Sequence, residues 1–164
     1  MFILTQFHPF LSPSLRSLTH PNIVQYFGIY SAPDGAHYIV TEFLSKGSLL
    51  DYLHSERDNL TTVDLLNISK QIAAGMNYLE MNNIIHRDLA ARNILVNEIC
   101  VKVADFGMSR KLESSYYSTE NKSVPVKWTA PEAIRLGVFT FKSDVWSFGR
   151  HFIFSHSPHS FTQE

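Results

Sequence analysis

The stretch HRDLAARN, residues 86–93, places ionisable and amide side chains between two apolar runs of the chain. Its polar members are His86, Arg87, Asp88, Arg92 and Asn93, whereas Ile84-Ile85 precedes it and Ile94-Leu95-Val96 follows it. Burying charged groups is costly unless each finds a partner. So much polarity between hydrophobic runs therefore indicates a functional loop.

The composition predicts one packed domain and excludes several classes of function. The chain has 164 residues, of which 45% are hydrophobic, and this suits a globular domain. A net charge of −1 gives no general attraction to nucleic acid. With one cysteine, Cys100, no internal disulfide can form, so we expect a reducing, cytoplasmic setting. We expect no transmembrane segment and no secretory signal, because no apolar run is long enough to span a bilayer.

The first half of the chain predicts a small sheet followed by helices. β-Branched and aromatic residues indicate strands at 23–30 and 37–43, and the turn sequence at 32–36 would join them as a hairpin. Ser48 is a candidate N-cap for a short helix over 48–55. Thr61-x-x-Asp64 forms a capping box before the clearest helix, whose apolar stripe recurs every three or four positions at Leu65, Ile68, Ile72, Met76 and Leu79.

The second half predicts short strands around the polar stretch. Residues 93–96 and 101–105 are typical of strands, and 108–124 of a long surface loop. A further helix is predicted from Lys142, with Ser143 as its cap. Residues 1–13 show no periodicity and are predicted to be irregular, and SLRSL (14–18) is predicted to be the end of a short helix. The order of elements favours an α+β fold with a small sheet and a larger helical part.

Two further signals join HRDLAARN in chain order, namely Asp105-Phe106-Gly107 and Ala130-Pro131-Glu132. Together they resemble the H-R-D…N, D-F-G and A-P-E elements of protein kinases. Ala90 stands where serine/threonine kinases usually carry lysine, and PVKWTAPE (125–132) is a tyrosine-kinase form. HYIVTEFLSKGSLLDYL (37–53) and KSDVWSFG (142–149) are similar to cytoplasmic tyrosine kinases of the Src type.

The resemblance implies a two-lobed, protein-kinase-like fold, of which this sequence carries part of the small lobe and part of the helical large lobe. It covers residues 14–149 and leaves 1–13 and 150–164 outside the family pattern. It also implies that Asp144 anchors the catalytic loop.

The resemblance assigns roles to the polar residues. Asp88 would be the base that accepts the proton of the substrate hydroxyl, and Arg92 would help to orient the phenol. Asn93 and Asp105 would hold magnesium on the phosphates of ATP. Arg87 would meet a phosphate on the following loop, carried by Tyr116 or Tyr117. Counting from Asp105 favours Tyr117 and counting back from Pro125 favours Tyr116, so both stay open.

The resemblance also implies an adenine site. Glu42 and Leu44 would offer backbone groups to the base, and Thr41 would stand at the gatekeeper position. Asp51 would reach the ribose, and Leu95 would form the floor under the adenine. The implied cofactors are ATP and Mg²⁺, and the implied partners are protein substrates that carry tyrosine.

The sequence departs from the kinase pattern before the adenine site. No G-x-G-x-x-G precedes Glu42, which is itself the first glutamate, and the first lysine is Lys46. A kinase uses a glycine-rich loop and a strand lysine paired with a helix glutamate to position the phosphates. We therefore expect these 164 residues to have little activity by themselves and to be part of a longer kinase. The alternative is an inactive interaction module or decoy that offers phosphorylated Tyr116 or Tyr117 to phosphotyrosine readers.

Three packing expectations follow from the same pattern. Trp128 and Trp146 should be packing residues. Glu132 should be a buried carboxylate, costly to the fold without an arginine partner. The helix that begins at Lys142 should leave apolar surface exposed.

Overall fold

A three-stranded antiparallel sheet forms the first part of the computed structural model, which describes residues 2–6, 17–98, 100–119 and 125–156. Its strands are β1 (Phe2–Gln6), β2 (Tyr26–Ser31) and β3 (His37–Glu42), in the order β1-β3-β2. The predicted hairpin of β2 and β3 is confirmed. Its turn is closed by the Ala32 amide, which donates to the Ala36 carbonyl at 2.8 Å. Gly35 has a φ of 85°, a left-handed conformation that glycine adopts without steric cost.

Strand β1 corrects the prediction that residues 1–13 are irregular. Phe2 to Gln6 pair with Glu42 to Tyr38 in antiparallel register, so β1 lies on the free edge of β3. Five apolar and β-prone residues are too few to show a period. The strand exists because β3 supplies its backbone hydrogen-bond partners. Most of the predicted helix end at 14–18 lies outside the described residues.

Two helices follow the sheet, as predicted. Helix α1 (Leu49–Ser55) is capped by Ser48, whose hydroxyl accepts the Asp51 amide proton. Helix α2 (Thr62–Met81) begins with the predicted capping box, in which Thr61 and Asp64 satisfy each other's backbone amides. Its predicted stripe faces the core, with Ile72 and Leu79 fully buried.

Short strands flank the HRDLAARN segment (86–93) and the residues that follow it. The strands β4 (Ile84–Ile85) and β7 (Arg110–Lys111) pair, β5 (Ile94–Val96) pairs with β6 (Val101–Val103), and β8 (Tyr117–Ser118) pairs with β9 (Val138–Phe139). The two strands were predicted at 93–96 and 101–105, but their pairing was not, and β6 ends at Val103, two residues before Asp105. The prediction of a loop throughout 108–124 is wrong where β7 and β8 form, because their partners lie elsewhere in the chain. Residues 120–124 lie outside the description.

Helices α3 (Pro131–Leu136) and α4 (Phe141–His156) complete the described fold. The helix predicted from Lys142 is confirmed, but Ser143 is not its cap. Thr140 precedes the helix, and its backbone amide donates to the Ser143 hydroxyl at 3.1 Å. Helix α4 also continues through His156, beyond Gly149.

One core dominates and lies between α1, α2 and the β5–β6 hairpin. Its buried members are Leu18, Ile23, Leu49, Leu53, Ile72, Leu79, Ile84, Leu89, Ile94, Val96, Val101 and Val103. Trp128 is buried as predicted, whereas Trp146 is 46% exposed. Glu132 is exposed in the first turn of α3, so no burial penalty arises for its carboxylate. The expected apolar surface is present on α4, where Val145 is 63% exposed.

The fold is thus α+β, with partial sheets and a helical part, in agreement with the sequence prediction. Among the residues that the structure describes, no helix is long and apolar enough to cross a membrane.

Candidate active site

Asp88, Arg92 and Asn93 form one hydrogen-bonded cluster. The Arg92 guanidinium donates to Asp88 Oδ1, and Asn93 Nδ2 donates to Asp88 Oδ2 at 2.8 Å. Asn93 Nδ2 also reaches the Asp88 carbonyl oxygen at 2.8 Å. The turn over Ala91–Asn93 produces this geometry, because it brings residues four and five positions after Asp88 back onto its carboxylate. Sequence reasoning predicted these three residues, and the structure brings them together.

The backbone before Asp88 is held by a buried carboxylate. Asp144 Oδ2 accepts the His86 amide proton at 2.7 Å, and Asp144 Oδ1 accepts the Arg87 amide proton at 3.0 Å. Arg87 has a φ of 70°, which a non-glycine residue keeps only when its surroundings hold it. Asp144 supplies that support from α4, in the anchoring position that the sequence predicted.

His86 connects the loop to the strand that leads to Asp105. Its ring is completely buried, with Nε2 at 2.9 Å from the Ala104 carbonyl oxygen. The Asp88 amide donates to His86 Nδ1 at 3.3 Å. These two contacts require a neutral imidazole with its proton on Nε2. The histidine is therefore a positioning group for Asp88 and Asp105.

Burial changes the acidity of both key carboxyl groups. The pKa of Asp88 is raised, mainly by burial, although the positive charge of Arg92 and the hydrogen bond from Asn93 act in the opposite direction. Burial likewise raises the pKa of Asp144, against the backbone hydrogen bonds that its carboxylate accepts from His86 and Arg87. A carboxylate with a raised pKa is a stronger proton acceptor than an ordinary aspartate.

Asp105 is placed beside Asn93 by the backbone. It has a φ of 55°, and its Oδ1 accepts the Gly107 amide proton at 3.2 Å, which starts the turn over Phe106–Met108. The Ala104 amide donates to the Asn93 carbonyl at 2.8 Å, so the two residues predicted to hold metal are tied together. The Asp105 side chain is exposed and lowers the acidity of nearby Asp88.

The donor set of Asn93 and Asp105 fits magnesium. Both offer hard oxygen atoms, because the Asn93 nitrogen is used by Asp88 and leaves the carboxamide oxygen for a cation. Within the described ranges, no group of three or more His, Cys, Asp or Glu residues could hold a metal ion. A pair of protein ligands agrees with the habit of Mg²⁺ to complete its shell with phosphates and water.

Arg87 lies between two aromatic rings. Its guanidinium carbon is 4.6 Å from the Tyr117 ring centroid and 4.3 Å from that of Phe139. Its Nη1 donates to the Met108 carbonyl at 3.2 Å, while its buried Nε has no hydrogen-bond partner among the residues described. Arg110 also lies over the Tyr117 ring, at 5.9 Å.

Tyr116 and Tyr117 occupy different environments. Tyr116 is 50% exposed, whereas Tyr117 packs against the second core around Ile85 and Phe139. Burial alone would raise the pKa of Tyr117, but hydrogen bonds with Arg110 and Thr119 and the charge of Arg87 lower it. Two guanidinium groups thus surround one of the two tyrosines that the sequence could not distinguish.

The predicted adenine residues form a second group. Leu44 is buried in a small apolar cluster with Val24 and Ala104, and Leu95 packs against this cluster. Among the described residues, the Leu44 amide donates to no other group. Leu44 and Leu95 are therefore brought together as predicted.

Three predicted adenine residues lie apart from the catalytic cluster. Thr41 is half-buried near the end of β3, and Asp51 is exposed in the first turn of α1, where it accepts the Ser48 hydroxyl proton at 2.6 Å. The Glu42 side chain forms an ion pair with Lys102, which leaves only its backbone for a base. No contact among the described residues joins Thr41, Glu42 or Asp51 to Asp88.

Sequence reasoning missed two basic residues of the site. Lys102 and Arg110 lie in short strands, and neither belongs to a motif that the sequence makes visible. Their partners, Glu42 and Tyr117, are 60 and 7 residues away in the chain. For the pair of Lys102 and Glu42, the one available signal was that a partly buried lysine usually has a carboxylate partner.

Comparisons with known proteins agree with this geometry. Residues 12–154 match the family model described as protein tyrosine and serine/threonine kinase. The chain is 52% identical over 138 residues to tyrosine-protein kinase SRK2 of Spongilla lacustris, covering 82% of this chain and 38% of that protein. It is 49% identical to tyrosine-protein kinase Abl of Drosophila melanogaster and 48% identical to tyrosine-protein kinase ABL2 of Homo sapiens.

These alignments with Abl and ABL2 also cover 82% of this chain, but only 8% and 12% of those longer proteins. The chain thus spans well under half the length of the curated relatives named here. The family model, in contrast, covers most of the chain and includes every residue of the Asp88 cluster. The chain therefore belongs to the protein tyrosine and serine/threonine kinase family.

Proposed function

We propose that this chain forms part of an ATP-dependent protein tyrosine kinase, which transfers the γ-phosphoryl group of ATP to a tyrosine hydroxyl. The observation that carries the proposal is the Asp88 carboxylate, held by Arg92 and Asn93 and tied through Asn93 to the segment of Asp105. The tyrosine-kinase relatives support the same reaction class. Ala90, which stands where serine/threonine kinases usually carry lysine, favours the tyrosine form.

The chemistry asked of the protein is positioning and proton transfer. Asp88 accepts the phenolic proton as the tyrosine oxygen forms its bond to the γ-phosphorus and the bond from phosphorus to the β-bridging oxygen breaks. Arg92, 38% exposed at its side chain, is placed to contact the phenol while it holds the Asp88 carboxylate. Mg²⁺, held by Asn93 and Asp105, would neutralise phosphate charge when bound.

The nucleotide would lie between the two groups of residues. The Leu44 amide would donate to the adenine ring, and the apolar cluster with Leu95 would cover one face of the base. Thr41 and the Glu42 carbonyl would bound the same pocket, and Asp51 would face the ribose. Because the sequence has no glycine-rich loop or strand lysine before Glu42, we expect slow phosphoryl transfer from these 164 residues alone.

A thermal melt of the purified chain tests nucleotide binding. At a hundred times its dissociation constant, a ligand adds about 2.7 kcal/mol to the folded state, which shifts a cooperative melt visibly. We expect ATP to raise the melting temperature strongly only when magnesium is present. Asp105→Asn should remove the magnesium dependence, whereas Glu113→Gln, an exposed carboxylate in the same segment, should not. A melt that ATP and magnesium leave unchanged would contradict the proposal.

Phosphoryl transfer is tested by phosphate incorporation into a tyrosine peptide. Weak incorporation that Asp88→Asn abolishes would support the enzyme. Nucleotide binding without any incorporation would favour the inactive interaction module.

Within this proposal, Tyr117 is the phosphorylated residue and Tyr116 is not. The support is the pair of guanidinium groups, Arg87 and Arg110, around the Tyr117 ring, and the unpartnered Arg87 Nε. Phosphate on Tyr117 would satisfy them with charge-assisted hydrogen bonds. Treatment with an active tyrosine kinase and peptide mapping should find phosphate lost in Tyr117→Phe and retained in Tyr116→Phe. Phosphate on Tyr116 alone would reverse the assignment and leave Tyr116 for phosphotyrosine readers.

We propose that the protein lies in the reducing cytoplasm. The single thiol of Cys100 is free and half-buried, which suits a compartment where thiols stay reduced. Localisation of a tagged full-length protein by microscopy tests this placement, and accumulation in the secretory pathway would overturn it.

A further inference from the structure

A half-buried ion pair lies at the end of strand β3 and has no part in the chemistry described above. Lys102 Nζ is 2.7 Å from Glu42 Oε1 and 2.8 Å from Glu42 Oε2, so both carboxylate oxygens are engaged. Their side chains are only 15% and 23% exposed. Glu42 Oε1 also accepts the Gln25 amide proton at 2.7 Å, so the carboxylate binds two partners at once.

The pair connects two units of the fold. Glu42 is the last residue of β3 and Gln25 directly precedes β2, whereas Lys102 is the central residue of β6 in the helical part. Backbone contacts cross the same boundary, since the Val24 amide donates to the Val103 carbonyl at 2.9 Å. The ion pair therefore reinforces the junction at the point where the chain leaves β3.

The residues around the pair belong to both ends of the proposed nucleotide site. Glu42 is two positions before Leu44, whose amide would meet adenine. Lys102 stands opposite Leu95 in the β5–β6 register and is three positions before Asp105, which would hold the metal. Lys102 lies in β6, which has a fixed rise per residue and ends at Val103, two residues before Asp105. The contact between Glu42 and Lys102 thus links the segment of the adenine end to the segment of the metal end.

We propose that Glu42 and Lys102 are positioning residues, whose ion pair fixes the distance between the adenine-binding segment and Asp105, so that one nucleotide reaches both ends. This inference rests on the proposed function. A ligand that touches only the adenine end would not sense the distance. The affinity of a magnesium–nucleotide complex, which contacts both ends, would depend on that distance.

The test compares two ligands on the full chain, adenosine and magnesium-bound ATP, by equilibrium binding titration. Lys102→Met should weaken the binding of magnesium–ATP about fivefold, the lower end of typical coupling between sites, and leave that of adenosine close to wild type. Glu42→Gln keeps an oxygen for the Gln25 amide and should weaken magnesium–ATP binding to a similar degree. The double variant should add little to either change, because both remove one interaction.

Matched controls separate positioning from general destabilisation. Lys46→Met breaks another, more exposed lysine–glutamate pair, Lys46–Glu98, at 3.3 Å, and should change neither affinity. Lys102→Arg keeps the positive charge and supplies a forked donor for the two carboxylate oxygens. Its affinity for magnesium–ATP should stay close to wild type. If Lys102→Met does not give a cooperative melt, Lys102→Gln, which can still donate to Glu42, takes its place in the comparison.

The outcomes are distinct. Selective loss of magnesium–ATP binding supports the inference. Equal loss of both ligands, or no change in either, overturns it and leaves the proposed function intact. Failure of the wild-type chain to bind either ligand overturns the proposed function, and the inference falls with it.

Discussion

The catalytic loop and the three-stranded sheet differ sharply in how they are packed. In the loop, His86 and Asn93 are buried and hydrogen-bonded, and buried Asp144 holds the backbone from below. In strands β2 and β3 no residue is buried, and Phe27, Ile29 and Tyr30 are exposed. The first region is stabilised by its own core. The second gains its order from backbone pairing at the surface.

Because of this difference, we expect the two regions to respond differently to substitution. A change in the catalytic loop leaves a buried group without a partner, which costs far more than a lost surface contact. A change in strand β2 meets mostly solvent. We therefore expect substitutions around Asp88 to be severe and substitutions in β2 to be mild. The four predictions below test that contrast, starting with the largest effect.

Asp88→Asn should reduce whatever phosphoryl transfer the chain supports by about a hundredfold to ten-thousandfold, because the amide cannot accept the phenolic proton. The measurement is phosphate incorporation into a tyrosine peptide. The melting temperature should stay close to wild type, since the amide oxygen still accepts from Arg92 or Asn93. Retained activity would show that Asp88 is not the base.

Asp144→Ala should destabilise the fold by about 2–6 kcal/mol, because the buried amides of His86 and Arg87 both lose their acceptor. Urea denaturation followed by circular dichroism measures the loss. Asp58→Ala, which removes an exposed carboxylate, is the control and should change little. If the two variants were equally stable, the loop would not depend on its buried anchor.

Gly75→Ala in helix α2 and Gly28→Ala in strand β2 compare the packed core with the sheet through the same substitution. A Cβ at Gly75 would lie 2.6 Å from the Asn22 carbonyl oxygen, so we expect a loss of about 1–3 kcal/mol. A Cβ at Gly28 in strand β2 would meet no atom within 4 Å, so Gly28→Ala should stay within about 0.5 kcal/mol of wild type. Equal effects in urea denaturation would remove the contrast between core and sheet.

The fall in the rate of phosphoryl transfer at low pH, the acid limb of the rate profile, should reflect the protonation of Asp88. Its pKa is raised above the ordinary value, so the ionised base is present above that pKa and is lost as pH falls through it. The rate should fall at a higher pH than for an unperturbed aspartate. Arg92→Gln removes a charge that lowers this pKa and should move the limb to still higher pH. Lys70→Gln, an exposed control on α2, should leave it in place, and an unmoved limb in Arg92→Gln would exclude Asp88 as its source.

Several features could be predicted because they depend on neighbouring residues. The capping box of Thr61 and Asp64 and the stripe of α2 follow from spacings within one helix, and both are confirmed. The contacts of Asp88 with Arg92 and Asn93 arise within a single turn. Local spacing in the sequence is enough to place such groups together.

Other features could not be predicted because their partners are distant. Strand β1 forms only on the edge of β3, and β8 only on β9. Tryptophan usually packs in a core, yet Trp146 lies on an exposed face of α4. Glu132 was expected to be buried, yet it is exposed on α3. Residue type alone does not determine which face of a helix meets the core.

The amino-acid sequence by itself determined the family, the main helices and the polar cluster, since each depends on motifs of a few adjacent residues. The tertiary structure alone decided which tyrosine lies between Arg87 and Arg110, and that Lys102 meets Glu42. The physical reason is that charge pairing and ring stacking act over a few ångströms in space. The fold brings residues that are far apart in the chain within that range.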